Sequence, residues 1–457
     1  MAASLLLELL PQQWQLSITS LILLAVSVVL IIWSRHRRNP SSRLKLPPGP
    51  TRLPIIGNLH QIGRLPHRSL GALAGWHGPV MALRLGTVPV VVLSSPKAAR
   101  EALKVHDPEC CSRSPSAGPR MLSYRYKDVA FSPYSNYVRD MRKLFVEKLI
   151  EKLTRNGRNA VAINEHIFST VDGIIGTFAL GETSSAEDFF PGSVAGRLVD
   201  RLTGLAARRE AIFRKLDRFF ERIVDQHAAA DDDGPAAARR KADDKGSAGS
   251  DLDTFVGGIT TTSVTLHWAM SELIRNPRVM KKAQDEIRAV VGEKERVQHH
   301  DMPKLKYLKM VVKETFRLHP PATLLVPRET TRHFKVGGYD IPEKTKVIVN
   351  EWAIGRDPNI WKDPEEFIPE RFEEMDIDFN GAHFELVTFG SGRRICPGLA
   401  MGVANIEFIL ASMLFCFDWE LPHGVRKEDI DMEEAGKLTF HKKIPLLLVP
   451  TPNKAPN

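Results

Sequence analysis

The chain has 457 residues, 43% of them hydrophobic and 26% charged, enough to bury a large core. Its four cysteines exclude a disulfide framework and fit a reducing compartment. A net charge of +9, without any Lys/Arg-rich tract interleaved with aromatics, argues against nucleic acid as a partner; it suits a surface drawn to anionic membrane lipid and to an acidic electron donor.

Trp14 and Trp33 bound an uncharged run of 20 residues. As a helix rising ~1.5 Å per residue such a run covers ~30 Å, the thickness of a bilayer core. Arg35, His36, Arg37 and Arg38 follow it and Glu8 is the one charged side chain before it, so the basic flank predicts that the rest of the chain is cytosolic. A cleaved signal peptide would carry its basic residues first and a shorter apolar core. Residues 1–34 therefore read as a retained, single-pass anchor of the endoplasmic reticulum membrane. Residues 35–50 read as a basic hinge stiffened by Pro47, Pro48 and Pro50, and 51–457 as the catalytic domain.

Within that domain, 80–85 and 90–93, joined through Gly86 and Thr87, predict a hairpin, and Pro96 opens a helix through Lys104. Residues 228–250, rich in Ala, Asp, Gly and Lys without apolar periodicity, predict a flexible loop. The loop runs into a helix that ends before Pro277 and is weakened from within by Gly257, Gly258, Thr260, Thr261 and Thr262. A helix over 307–318 puts Glu314 and Arg317 on one face. Residues 334–341 and 346–350 predict a second small β region. Most of the remainder has helical period and no internal repeat, so the predicted class is mainly α with small β-sheets.

Residues 389–398 read Phe-Gly-Ser-Gly-Arg-Arg-Ile-Cys-Pro-Gly. Pro397 suits the first position of a helix, which places Cys396 at the N-cap, where the helix dipole with Arg393 and Arg394 favours a thiolate. Gly390, Gly392 and Gly398 can adopt positive φ and let the backbone press against a flat ligand. An anionic sulfur beside a flat ligand points to haem. Cys110, Cys111 and Cys416 have no such setting and read as packing residues.

The stretch resembles the cysteine loop of cytochromes P450 at Phe389, Gly392, Arg394, Cys396 and Gly398. The resemblance implies a haem b cofactor with Cys396 as the axial iron ligand and Arg394 on a haem propionate; a thiolate ligand favours O–O cleavage. It also implies a buried network of Glu314, Arg317 and Arg371, the last within Pro369-Glu370-Arg371-Phe372. Arg328 aligns with a further propionate contact. So does Arg139, in a segment where Val138 stands in place of the family's tryptophan. Thr261 aligns with the threonine that assists oxygen protonation, and Thr260 occupies the position of the family's acid, so proton delivery there falls to hydroxyls and water. Val256, Ile259, Leu324, Leu325, Val326 and Leu438 are the implied substrate-pocket residues.

The proline-rich hinge, Trp268 to Leu273, Asn276-Pro277 and the cysteine loop are most similar to plant A-type microsomal members. The implied fold is the P450 fold behind an N-terminal transmembrane helix. The implied activity is oxidation of an apolar small molecule, of terpenoid or phenylpropanoid type, with O₂ and electrons from NADPH-cytochrome P450 reductase. Only ten residues separate Ser250 from Thr261, fewer than the family's usual entry into this helix, and segments near 150, 182 and 250 are expected to be missing. Two alternatives stay open on the sequence: Thr260 would suit a hydroperoxide isomerase or dehydratase, and the short middle would suit an inactive anchored variant.

Overall fold

The computed structural model describes residues 44–114, 186–191, 193–208, 256–436 and 439–453, with the single positions 116, 120, 131, 133, 210, 211 and 214. The anchor, most of the hinge, Val138, Arg139, Leu438 and the 228–250 loop lie outside the described residues.

Pro66 opens helix α1 (Pro66–His77), which leads into the hairpin of β1 (Val80–Leu85) and β2 (Val88–Leu93), with Val80 opposite Leu93. Ser95 caps helix α2 (Pro96–Arg100) by accepting from the Ala98 N–H at 3.4 Å, and the helix continues as a wider π turn over Glu101–Val105. The next described elements are α3 (Ala186–Phe189) and α4 (Val194–Leu202), then a π turn over Val256–Thr260 that feeds α5 (Thr261–Arg275). Pro277 starts α6 (Pro277–Val291), and α7 (Lys306–Leu318) follows within one residue of its predicted start.

Four short strands come next: β3 (Arg328–Glu329), β4 (Phe334–Val336), β5 (Tyr339–Ile341) and β6 (Lys346–Val349). The expectation of one second β region over 334–350 needs correcting. β4 and β5 pair with each other, whereas β6 runs parallel to β2 in a sheet ordered β1-β2-β6-β3. Val90 to Leu93 are all buried, an apolar run suited to a strand flanked by partners rather than to a hairpin edge. The chain then forms α8 (Glu351–Ile354), α9 (Arg371–Glu374) and α10 (Leu399–Cys416), with β7 (Phe417–Glu420), β8 (Glu434–Gly436), β9 (Phe440–Lys442) and β10 (Val449–Pro452) closing two two-stranded sheets.

α5, α6, α7 and α10 pack on one another around Leu273, Ile287, Val311, Phe316, Leu410 and Leu414. Among the described residues α10 is the one helix long and apolar enough to cross a membrane, and it lies against this core. A second apolar cluster fills the space between the β1–β6 sheet and α2, through Leu93, Ala99, Leu103 and Val349. Leu410 is fully buried, so Leu410→Ala is expected to lower the unfolding free energy by about 2–5 kcal/mol in a denaturant titration. Leu447→Ala, at a side chain 72% exposed, is expected to change it by less than about 0.5 kcal/mol.

Candidate active site

The cysteine loop is shaped by two glycines in the left-handed region, Gly390 (φ 71) and Gly392 (φ 68). A Cβ on Gly392 would lie 2.4 Å from the Leu103 carbonyl oxygen and 2.6 Å from Asp107 Oδ1, so only glycine fits there. Asp107, just past α2, is the loop's anchor. It accepts from the Arg393 backbone N–H, from Arg393 Nη1 and from Arg328 Nη1, each at 3.0 Å. Arg328 also donates to the Ser391 carbonyl at 2.5 Å, and Arg394 Nε donates to the Cys111 carbonyl at 2.8 Å. Both of these arginines are buried. Phe389 stacks edge-on against Phe316 and Phe379, with ring centroids 5.3 Å and 5.6 Å away.

Two details differ from the sequence reading. α10 begins at Leu399 with Gly398 as N-cap, so Cys396 precedes the helix by three residues and Pro397 is not its first. The Cys396 N–H is spent on the Phe389 carbonyl at 2.9 Å, which closes the loop and leaves 396–398 as a turn before Gly402 N–H bonds the Gly398 carbonyl at 2.7 Å. Gly398 accordingly has an ordinary φ of −90°; a Cβ there would sit 3.9 Å from Cys396 Sγ. Arg393 pairs with Asp107, so a carboxylate offsets its charge.

Cys396 is the one exposed cysteine of the four. Burial pushes the Cys110 thiol up to about 12 and raises Cys111 as well, which keeps both protonated. Beside Cys396, the first turn of the apolar helix α10 leaves Ala400 exposed and Leu399 and Met401 half-buried. An accessible soft ligand on a tightly braced loop, next to uncovered apolar surface, fits a flat apolar macrocycle bound through sulfur.

Glu314, Arg317 and Arg371 are brought together. Arg317 forks onto Glu314 through Nε and Nη2, both at 2.8 Å, and Arg371 Nε reaches Glu314 Oε1 at 3.0 Å. The Ile368 N–H also donates to Glu314 Oε1 at 2.8 Å. Arg317 spends its remaining donors on the carbonyls of Gly355, Pro364 and Glu366 at 2.6–2.9 Å, tying α7 to the irregular segment that leads towards the cysteine loop.

On the other wall, the weakened helix is a π turn. π turns inside helices widen the backbone and are frequent at functional sites. The Thr261 hydroxyl donates to the Gly257 carbonyl, and the Thr262 hydroxyl to Gly258 at 2.6 Å. Thr260 is buried, yet its hydroxyl has no hydrogen-bond partner among the described residues. Among the described residues, a Cβ added to Gly257 or Gly258 would meet nothing within 4 Å. α5 is fixed further along by Trp268 Nε1 donating to the Phe440 carbonyl at 2.9 Å and by Glu272 pairing with His319 at 2.7 Å.

Val256 and Ile259 lie in the π turn. Leu324, Leu325 and Val326, all half-buried, form the loop between α7 and β3. There Leu324 packs on the Leu70–Met81 cluster, Leu325 on the Val80–Leu93 cluster, and the Val326 carbonyl accepts from Arg113 Nη1 at 2.6 Å. Sequence reasoning missed Asp107 and Arg113. Neither sits in a spaced motif; the signal available was a lone acid just after a helix and an arginine beside two buried cysteines.

The Cytochrome P450 family model matches residues 47–168 and 224–449. The chain belongs to the cytochrome P450 family. This P450 is 48% identical to a 4-hydroxyphenylacetaldehyde oxime monooxygenase of Sorghum bicolor, over 97% of this chain and 96% of that protein. It is 43% identical to a 2-methylbutanal oxime monooxygenase of Manihot esculenta, over 97% of this chain and 98% of that one, and 43% identical to cytochrome P450 71B34 of Arabidopsis thaliana, over 94% and 98%. A solved zebra fish cytochrome P450 with progesterone shares the fold at a TM-score of 0.66 and 22% identity, over 85% of this chain and 99% of that one. The P450 is thus a plant A-type haem-thiolate monooxygenase of small apolar substrates, with haem b as cofactor. The sorghum alignment runs over 521 positions, more than the 457 residues present here, so that relative carries segments this chain lacks. The family match is interrupted over 169–223, in the middle of the chain.

Removing Arg317 would take the two-pronged fork from Glu314, leave it with Arg371 and the Ile368 N–H, and free three backbone carbonyls. Arg317→Ala is expected to cost about 1–3 kcal/mol or more in a denaturant titration, the penalty of buried polar groups left unsatisfied, and to lower the haem content of the purified protein.

Proposed function

We propose that this P450 is a microsomal aldoxime monooxygenase, fed by NADPH-cytochrome P450 reductase. The observation that carries the chemistry is the exposed Cys396 thiol on a loop whose glycine fold and arginines are locked by Asp107. The substrate class comes from the two oxime monooxygenases that match nearly the whole chain, one named for an aromatic and one for a branched aliphatic aldoxime. Haem, bound through Cys396, supplies reductive activation of O₂. Two electrons from NADPH and two protons accompany the insertion of one oxygen atom and the release of the other as water.

The chain's own residues hold and protonate. Arg394, Arg328 and Arg139 would serve the haem propionates, and Phe389, Gly392 and Gly398 would shape the loop beneath the ring. Glu314, Arg317 and Arg371 act as its structural brace. With its proton given to Gly257, Thr261 offers lone pairs to a water on the oxygen side, and the adjacent Thr260 hydroxyl can donate. Val256, Ile259, Leu324, Leu325, Val326 and Leu438 would line the substrate side.

For the setting, residues 1–34 serve as the endoplasmic reticulum anchor, 35–50 as the hinge and 51–457 as the catalytic domain, with 228–250 as its flexible loop. Two apolar surfaces support a membrane-facing side. Leu53, Ile55 and Ile56 are exposed just after the hinge. α4 turns Asp200 inward and Val194, Leu198 and Leu202 outward. One turn ties both together, because Gly86 N–H bonds the Ile56 carbonyl at 3.1 Å and Thr87 N–H bonds the Phe189 carbonyl at 2.9 Å.

The test is turnover of 4-hydroxyphenylacetaldehyde oxime by the anchored protein with reductase, NADPH and ¹⁸O₂. Aldoxime consumption that needs all three, with label in the released water or the product, is the expected result. Conversion of terpenoids or phenylpropanoids with no aldoxime turnover would overturn the substrate class. Thr261→Val is expected to lower product formed per NADPH by about 10²-fold, the low end of what a positioned proton-transfer group contributes, with the lost electrons appearing as hydrogen peroxide.

A further inference from the structure

Glu351 is the first residue of α8 and only 2% exposed. Its Oε1 accepts from the Thr388 hydroxyl at 2.5 Å, and its Oε2 has no hydrogen-bond partner among the described residues. The charged groups on the elements around it pair with other acids. His67 and Arg68 of α1 pair with Glu434 and Arg317 of α7 with Glu314, while Arg356, just past α8, pairs through Nε with Glu365 and keeps Nη1 buried without a hydrogen-bond partner among the described residues. Among the described residues no cation pairs with this carboxyl. Burial alone pushes it from the usual 4.5 up to about 8, against the smaller opposing effect of the Thr388 hydrogen bond.

Thr388 directly precedes Phe389, the residue whose carbonyl holds the Cys396 N–H and whose ring seats on Phe316 and Phe379. We propose that Glu351 is a positioning residue for the cysteine loop: uncharged, it fixes Thr388 and through it Phe389 and Cys396, and its ionisation releases them. A carboxylate at this place would be a buried charge with one oxygen unpaired, a state relieved only by admitting water or by moving Thr388. The inference rests on Cys396 being the axial ligand, as proposed above.

The sign follows from proton linkage. Between about pH 4.5 and 8 the folded chain holds a proton on Glu351 that the unfolded chain has lost, so Glu351 makes folding less favourable as pH rises through that window, with its full effect above about 8. The thiolate site should therefore weaken on the alkaline side.

The experiment is the reduced, carbon-monoxide-bound difference spectrum of the full-length haem protein between pH 6.5 and 9.5. Wild type, Glu351→Gln, Glu351→Met and Cys396→Ala are compared, with near-ultraviolet circular dichroism reporting folding. Wild type is expected to lose its thiolate-type Soret band reversibly, with a one-proton midpoint near 8. Glu351→Gln, which keeps the hydrogen bond without the charge, is expected to hold the band across the range. Glu351→Met, similar in volume, is expected to lose the midpoint too, which keeps the test alive if the glutamine variant folds poorly. A folded Gln or Met variant that titrates as wild type does, or a wild type with no transition by pH 9.5, would overturn the positioning role. A thiolate band that survives Cys396→Ala would instead overturn the axial-ligand premise on which the role rests.

Discussion

The buried carboxylate of Asp107 is the interaction on which the site depends. Three charge-assisted or backbone donors converge on it, two from Arg393 and one from Arg328, which lie 286 and 221 positions further along the chain. Hydrogen bonds to an ionised acceptor are roughly twice as strong as neutral ones, and leaving such an acceptor unpaired in the interior costs several kcal/mol. The loop carrying Cys396 therefore cannot shift relative to α2 without breaking both Arg393 bonds and the Arg328 bond to the Ser391 carbonyl. Gly392 is the steric counterpart of the same clamp, since any side chain there would strike the Leu103 carbonyl and Asp107 itself.

A second brace acts from the opposite side. The Glu314–Arg317 fork is fully buried, and Arg317 meets three backbone carbonyls between 355 and 366. That stretch has little regular structure beyond short turns, so its carbonyls lack partners of their own in helices or strands. One guanidinium satisfies three of them and orders the stretch that leads through Arg371 to the cysteine loop. The arginine fork suits this task because its five donors lie in a fixed plane, whereas a lysine would present a single point of charge. The exposed thiol thus stands between two rigid supports.

How much of this is legible in the sequence depends on the range of the contact. The β1–β2 hairpin, the helix over α7 and the i,i+3 spacing of Glu314 and Arg317 are local, and local patterns carry them. The pairing of β6 with β2 is not local: a parallel partner some 250 positions away leaves no turn signal, so 346–350 was naturally grouped with its neighbours at 334–341. The start of α10 was displaced for a similar reason. Cys-Pro-Gly looks like an N-cap followed by a first-turn proline, but the Cys396 N–H is taken by the Phe389 carbonyl, and the helix starts only at Leu399, with Gly398 as its N-cap. Asp107 and Glu351 have no local signature at all. Each reads as an ordinary surface acid, and only tertiary burial makes one a clamp and the other an uncompensated carboxyl.

The same reasoning shows which stretches of the chain carry the support of the thiol. Every described residue that braces the thiol falls between 103 and 113 or between 314 and 394, within the spans that match the family. The unmatched stretch, 169–223, contributes the docking of Phe189 on the β1–β2 turn and the outward apolar face of α4, and neither touches the braces. The loop, its Asp107 clamp and its arginine fork therefore draw their described partners from the matched spans alone, and the spectroscopic signature of the thiolate site is set there.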